Sequence, residues 1–260
     1  MSVLHLARRK FRTVAATVRS CSNWPAVALA RKNASVSIST LRFRSGLQLR
    51  PMPPLHRTWG EVFEPAIADV YGIGACAPAI IVDIGANIGA FACFAAYTHS
   101  YAQVHAFEPS ARHADLLEAN VTLNGLTNVT LHRTPVTQDG REVIFTELDT
   151  GGASGIILQS AGRAVSMGSV SLDCVDFFGK LSAFFKLDCE GAEGEIIQWI
   201  CANLSRLPSR LRLACEYHHW CPIPFDGLLD MPRSHGLRAE HRTPYDESYI
   251  FASLGEQTSA

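Results

Sequence analysis

Between residues 186 and 193 the chain reads Lys-Leu-Asp-Cys-Glu-Gly-Ala-Glu, placing four ionisable side chains, Lys186, Asp188, Glu190 and Glu193, directly after the apolar run 181–185. Burying charge without partners is costly, so a strand that ends in such a cluster reads as a site for acid–base chemistry or for holding a charged ligand. In an open parallel sheet, ligands bind at the carboxyl ends of the strands. A plainer reading makes Glu190 and Glu193 the first-turn acids of a helix, suited to its dipole. That reading leaves Lys186 and Asp188 without a role.

About a hundred residues earlier the apolar run 79–82 leads into Asp83-Ile84-Gly85-Ala86-Asn87-Ile88-Gly89 and then a helix of small residues, with Ala90, Ala92, Ala95 and Ala96. A strand, a glycine turn and a small-residue helix form a cradle for a nucleotide, because glycine lets the backbone come close to a ligand. Asn87 stands where a dinucleotide-binding turn has its middle glycine, which weakens a pyrophosphate reading. Strand two, 103–107, ends in Glu108, 23 residues beyond Gly85 (108 − 85). An acid at that distance accepts the ribose hydroxyls of an adenosine ligand. Taken alone it would be an ordinary helix-start acid beside Pro109 and Ser110. The candidate cofactor-binding set is therefore Asp83, Gly85, Ala86, Asn87, Gly89 and Glu108, joined by Asp188.

The chain resembles the FkbM-type S-adenosylmethionine-dependent O-methyltransferases. The resemblance rests on 83–89, Phe107-Glu108-Pro109, Asn120 with Leu123-Asn124, Leu172-Asp173, and Lys186-x-Asp188-x-Glu190-Gly191-Ala192-Glu193, in order over roughly 41–216. Cys189 departs from the branched apolar residue usual there, and Ser171 from the usual threonine. The resemblance implies S-adenosyl-L-methionine as cofactor and a hydroxyl of a sugar or related natural product as methyl acceptor. It implies catalytic roles for Asp188, Lys186 and Glu190. Glu216 and His218, at the end of strand five, are expected to close the site. The base is either Asp188, on position, or His218, whose imidazole titrates near neutrality. A metal held by Asp188, Glu216 and His218 is an alternative way to acidify the hydroxyl, although no metal ligand is assigned.

These residues require a doubly wound α/β frame. The expected fold is a Rossmann-like class I methyltransferase: a mostly parallel seven-stranded sheet with a C-terminal antiparallel strand pair, plus a basic N-terminal helical extension. Strands are expected at 129–133, 141–148 (an extra strand), 184–187 and 211–216. The final pair is expected at 237–243 and 248–254, joined by a turn at 244–247, and a helix at 193–204 has Ile196, Ile197, Ile200 and Leu204 inward. Residues 41–50 read as two short strands about Ser45-Gly46. Thr58 with Glu61 reads as a capping box, and 151–155 as a glycine-rich loop. The extension is placed at 1–40 and the methyltransferase domain at 41–260, its nucleotide-binding core starting near 79.

At 260 residues and 47 % apolar content the chain buries one core. Residues 1–60 hold eleven Lys and Arg and no Asp or Glu, against twelve basic and 24 acidic residues in the remainder. The body thus suits a cationic ligand such as a sulfonium. Leu4, Ala7, Phe11, Val14 and Val18 recur at helical spacing among arginines. Three readings stay open: a peripheral membrane helix, a mitochondrial transit peptide, or a helix docked on the domain. No apolar run approaches the ~20 residues of a membrane span. Eight scattered cysteines without a C-x-x-C pair indicate a reducing compartment, hence a cytoplasmic enzyme, with mitochondria as the alternative. The run 215–221, with Cys215, His218, His219 and Cys221, fits no zinc spacing. The basic segment lacks the aromatic interleaving of a nucleic-acid surface. Competing functions are an NAD-dependent Rossmann oxidoreductase, opposed by Asn87, and a non-catalytic module, opposed by the charged strand end. Thr243-Pro244-Tyr245 resembles an amino-group methyltransferase motif but sits in the last hairpin, where it reads as a turn.

Overall fold

The computed structural model describes residues 17–33, 35–52, 70–147, 155–156, 162–243 and 248–255. The capping box, most of the glycine-rich loop, the 244–247 turn and residues 1–16 of the basic extension lie outside them.

The elements in chain order are α1 (Trp24–Lys32), β1 (Leu41–Arg42), β2 (Gln48–Leu49), β3 (Ile80–Ile84), α2 (Ala90–Thr98), β4 (Gln103–Phe107), α3 (Ala111–Leu123), β5 (Val129–His132), β6 (Glu142–Glu147), β7 (Arg163–Gly168), β8 (Ser182–Leu187), α4 (Glu193–Ala202), β9 (Arg210–Glu216), α5 (Phe225–Ser234), β10 (Arg238–Arg242) and β11 (Tyr249–Leu254). Seven strands form one sheet in the order β10-β11-β9-β8-β3-β4-β5. β11 runs antiparallel to both of its neighbours, and the remaining pairings toward β5 are parallel. This is the expected class I methyltransferase sheet. The chain leaves β3 toward β4 on one side and later returns through β8 on the other, so the sheet's switch point lies between β3 and β8. Ligand crevices form at such points.

The sheet's central strands read as continuous apolar runs because both faces are covered. Ile80, Val82, Ile84, Phe185 and Leu187 pack with Ile196, Ile197 and Ile200 of α4 and Leu228 of α5. Ile81, Val104, Phe184 and Ala214 pack on the other face with Phe91, Ala92 and Ala95 of α2 and Leu117 of α3. The alanines expected to begin a cradle helix thus also let α2 lie close against the sheet.

Several details differ from expectation. β8 starts two residues early, at Ser182, whose Oγ accepts from the Ala79 N–H and donates to the Ala77 carbonyl, tying the start of the strand to the segment before β3. α4 ends at Ala202, capped by Asn203. The extra strand β6 has a partner not foreseen, β7, with which it pairs antiparallel in a separate ribbon. Helix α5 was also unforeseen, since Pro232 inside it and Pro224 before it mask its period.

α1 packs through Val27 and Ala30, with Cys21, against Leu41, Phe43, Leu47 and Leu49 and against Ala90 and Cys93 of α2. From residue 17 onward, therefore, the N-terminal segment docks on the domain. Asn120 and Asn124 of α3 secure the same region. Asn120 Oδ1 accepts from the Arg50 N–H at 2.7 Å, and Asn124 accepts from the Gln48 N–H at 2.8 Å while donating to the Gln48 carbonyl at 2.6 Å.

At the far edge, His105 Nδ1 lies 3.0 Å from His132 Nε2 and the rings stack. Burial, then repulsion from His132 and Lys180, pushes His105 down to about 4, and burial also lowers His132. A folded value below that of the unfolded chain means that unfolding takes up protons as pH falls from about 6.5 toward 4, so stability complete above that window is lost through it. His105→Leu is expected to flatten the fall in melting temperature between pH 7 and pH 5. Identical acid sensitivity in wild type and variant excludes this pair as its source.

Candidate active site

The carboxyl ends of β3, β4, β8 and β9 converge on one crevice, in two tiers. The lower tier is an ion pair in the sheet itself. Asp83 and Lys186 face each other across β3 and β8, both wholly buried, with Lys186 Nζ 3.1 Å from Asp83 Oδ1. The same ammonium donates to the Gly85 carbonyl at 2.9 Å and stands 3.5 Å from Asp188 Oδ2. The rings of Tyr71 and Phe91 lie under it at 5.8 and 5.9 Å, adding cation–π attraction. Burial pushes the Asp83 carboxyl up, against the pull of Lys186. Lys186 therefore lies beneath the crevice and acts on it through Asp83, Gly85 and Asp188.

The glycine turn follows β3. Gly85 has φ +78°, and a Cβ on it would fall 1.8 Å from the Asp188 carbonyl oxygen, so only glycine lets the ends of β3 and β8 approach this closely. Asn87, left-handed at φ 51°, donates its N–H to Glu108 Oε2 at 2.7 Å, and the Ser110 N–H donates to Oε1 at 2.8 Å. Glu108 thus ties the turn after β3 to the start of α3. Each carboxylate oxygen retains a second lone pair for a ligand hydroxyl. Asn120 Nδ2 holds the turn from the other side by donating to the Ile88 carbonyl at 2.8 Å. The side-chain oxygen of Asn87 is buried with no hydrogen-bond partner among the described residues. Ala86 is buried in the turn, and Gly89, also left-handed, starts α2 against Leu117.

The upper tier surrounds His218. Its Nδ1 pairs with Glu193 Oε1 at 2.8 Å, while Nε2 faces Glu190 Oε2 at 3.5 Å, Asp188 Oδ1 at 3.7 Å and Glu216 Oε1 at 4.0 Å. Glu193 Oε1 also accepts from the N–H groups of Gly191 at 3.1 Å and Cys189 at 3.3 Å. Glu193 thereby fixes the Asp188–Gly191 turn, in which Glu190 adopts φ 58°, unusual for a residue with a side chain. Glu216 is steadied by the Tyr249 hydroxyl at 2.9 Å.

Burial, then the charges of Asp188 and Glu193, pushes the Glu190 carboxyl up to about 7, with His218 pulling the other way. For His218 burial works downward, but the hydrogen bond to Glu193 and the charges of Asp188, Glu193 and Glu190 outweigh it and carry the imidazole up to about 10. The expectation that His218 titrates near neutrality is not met, because these three carboxylates hold its proton.

The predicted residues Asp83, Gly85, Ala86, Asn87, Gly89, Glu108, Lys186, Asp188, Glu190, Glu216 and His218 thus gather at one crevice. Sequence reasoning named Glu193 and Asn120 within motifs without giving them roles, and missed Glu147, whose Oε1 accepts from the Ser110 hydroxyl at 2.6 Å. Full burial of a glutamate and an asparagine was the missing information; no local pattern announces it.

The model of the methyltransferase FkbM domain matches residues 83–220, more than half of the chain. The chain belongs to the FkbM methyltransferase family. The match runs from Asp83 to Trp220, so it contains every crevice side chain named above except Tyr71 and Tyr249. Among curated proteins, none matches the sequence. Solved structures similar to this FkbM chain include a precorrin-6y C5,15-methyltransferase from Geobacter metallireducens, with 15 % identity over 73 % of this chain and 87 % of that one and a TM-score of 0.45. Magnesium protoporphyrin IX methyltransferase from Synechocystis PCC 6803, with S-adenosylmethionine bound, matches at 11 % identity over 76 % and 80 %, TM-score 0.43. A SAM-dependent O-methyltransferase from Thermotoga maritima matches at 15 % identity over 77 % and 66 %, TM-score 0.40.

S-adenosylmethionine is the cofactor of the FkbM family, and this crevice fits it. Asn87 presents a buried side-chain oxygen with no hydrogen-bond partner among the described residues, and Glu108 has acceptor capacity to spare. Among the described residues, no helix is long and apolar enough to cross a membrane.

Replacing Lys186 with methionine leaves Asp83 buried without its cation. Lys186→Met is expected to lose about 3–5 kcal/mol of stability in denaturant unfolding. A loss below about 1 kcal/mol shows that the pair is not what joins β3 to β8.

Proposed function

We propose that this FkbM-family methyltransferase is an O-methyltransferase whose acceptor is a hydroxyl of a sugar or related natural product. The observation that carries the reading is the grouping of Asp188, Glu190 and His218 in the crevice beside the glycine turn. A neutral alcohol is a poor nucleophile unless its proton is removed as it attacks, and a cluster of carboxylates around an imidazole is suited to that task. An amine needs less help. After β8 the chain carries Asp188-Cys189-Glu190-Gly191 and lacks the Asn/Asp-Pro-Pro-Tyr pattern of amino-group methyltransferases.

In this reading Glu108 accepts the ribose hydroxyls, and the turn from Asp83 to Gly89 holds the methionine half of the cofactor. The bound cofactor supplies an electrophilic methyl group. The acceptor hydroxyl lies over Asp188 and Glu190, with Glu216 and His218 at the rim, and its proton passes to the carboxylates. An oxygen–carbon bond forms as the sulfur–carbon bond breaks, leaving a methyl ether, S-adenosylhomocysteine and a proton. Positioning the hydroxyl in line supplies much of the rate. The net negative charge of the body favours a sulfonium over a phosphate-bearing dinucleotide.

Two experiments test this. Glu108→Ala is expected to weaken S-adenosylhomocysteine binding by roughly 2–5 kcal/mol in calorimetry, the cost of one or two hydrogen bonds to a charged group; undiminished affinity removes Glu108 from the ribose site. Incubation with methyl-labelled S-adenosylmethionine and a panel of glycosides, amines and enols is expected to yield labelled methyl ethers. Label on nitrogen or carbon, or binding of NAD in place of the sulfonium cofactor, overturns the O-methyl reading.

A further inference from the structure

Nε2 of His218 belongs to a side chain that is nine-tenths buried, and it faces three carboxylates without hydrogen-bonding to any. Charge-assisted N–H···O contacts settle at about 2.7–2.9 Å when two groups meet directly. Here the separations are 3.5, 3.7 and 4.0 Å, while on the other side of the ring Nδ1 closes on Glu193 at 2.8 Å. The imidazole is therefore anchored on one nitrogen, and the other looks into a gap ringed by oxygens. Glu190 Oε2, which lines that gap, is sealed from solvent and has no hydrogen-bond partner among the described residues. Donor atoms of Asp188, Glu190 and His218 all lie within 4.8 Å of one another. Donors bound at roughly 2.0–2.6 Å to one ion stand at most about 4–5 Å apart across it.

We infer that Asp188, Glu190 and His218 form a binding site for one divalent cation of the manganese or magnesium class. Glu193 orients the histidine ligand from outside the coordination shell. Two carboxylates and a neutral imidazole balance a doubly charged ion, and a donor set richer in oxygen than nitrogen favours manganese or magnesium over softer metals. A buried carboxylate on Nδ1 is the usual support of a metal-bound histidine, since it sets the tautomer that leaves the Nε2 lone pair free. In the absence of an ion, a proton on His218 supplies the positive charge that these carboxylates require. The left-handed conformation of Glu190, imposed by the Glu193 bonds to Cys189 and Gly191, is what brings its carboxylate to the gap. The ligands differ from those weighed on sequence alone: Glu190 replaces Glu216, which is held by Tyr249 and lies farthest from Nε2. Binding of the ion stands independently of the methyl-transfer reading. Its role there, lowering the pKa of an acceptor hydroxyl bound on it, rests on that reading.

The test is Mn²⁺ titration of metal-stripped protein, without cofactor or acceptor, followed by electron paramagnetic resonance. A single Mn²⁺ per chain is expected, displaced by excess Mg²⁺. Asp188→Asn, Glu190→Gln and His218→Ala are each expected to weaken binding at least tenfold, and Glu193→Gln by about 10- to 100-fold. Melting temperature and S-adenosylhomocysteine binding of His218→Ala report that the fold persists. Wild-type protein that takes up no Mn²⁺, or folded His218→Ala and Glu190→Gln variants that bind it as tightly as wild type, overturns the inference. Protein that binds Mn²⁺ but neither S-adenosylmethionine nor S-adenosylhomocysteine would sink the methyltransferase reading and leave the metal site standing.

Discussion

The crevice depends on one buried ion pair. Asp83 and Lys186 are adjacent in register on β3 and β8, at the switch point where the sheet's connections diverge. Two charges taken out of water repel the fold unless they meet each other and further polar groups. Lys186 meets Asp83, the Gly85 carbonyl and Asp188, so its single ammonium joins the end of one strand, the glycine turn that follows it and the first acid after the other strand. The ammonium is wholly buried, with the rings of Tyr71 and Phe91 beneath it.

Above that pair, two glutamates do the same kind of work on irregular backbone. Loops near a ligand leave N–H groups that no ladder satisfies. Glu108 takes those of Asn87 and Ser110, and Glu193 takes those of Cys189 and Gly191. Each holds a left-handed residue in place, Asn87 in one turn and Glu190 in the other. An acid at a helix start is ordinarily read as a dipole partner. Here the dipole is the lesser part: a buried carboxylate sets the shape of a turn, and the turn sets where the functional side chains stand.

Docking of the N-terminal segment belongs to the same construction. Asn120 reaches the Ile88 carbonyl of the glycine turn and both backbone groups of Arg50, so one fully buried amide connects the cradle to the β1–β2 region. Val27 and Ala30 of α1 complete the small apolar cluster over Ala90 and Cys93. The basic segment, from residue 17, is thus part of the packing around α2, whatever residues 1–16 add to it.

The sequence by itself determined the fold class, the strands from β3 to β11 other than β7, and the motif residues that share the crevice, though not Tyr71, Glu147 and Tyr249 around them. Each of these follows from local pattern: apolar runs long enough for strands, glycines where the backbone must turn tightly, acids at strand ends. Tertiary structure alone decided how the charges divide. Lys186 is written next to Asp188 and Glu190, yet its nearest carboxylate is that of Asp83, 103 residues away (186 − 83), because parallel pairing of β3 with β8 sets them side by side. His218 has the side chain of a neutral-pH base, yet the carboxylates of Glu193, Asp188 and Glu190 hold its proton. Glu190 and Glu216 look interchangeable in the chain, but Glu190 stands nearer to Nε2, at 3.5 Å against 4.0 Å, while Glu216 is held by the Tyr249 hydroxyl. Spacing along a chain specifies which residues share a strand end. Which of them meet, and with what protonation, depends on distances across the sheet and on exclusion of water, and those exist only once the core has closed.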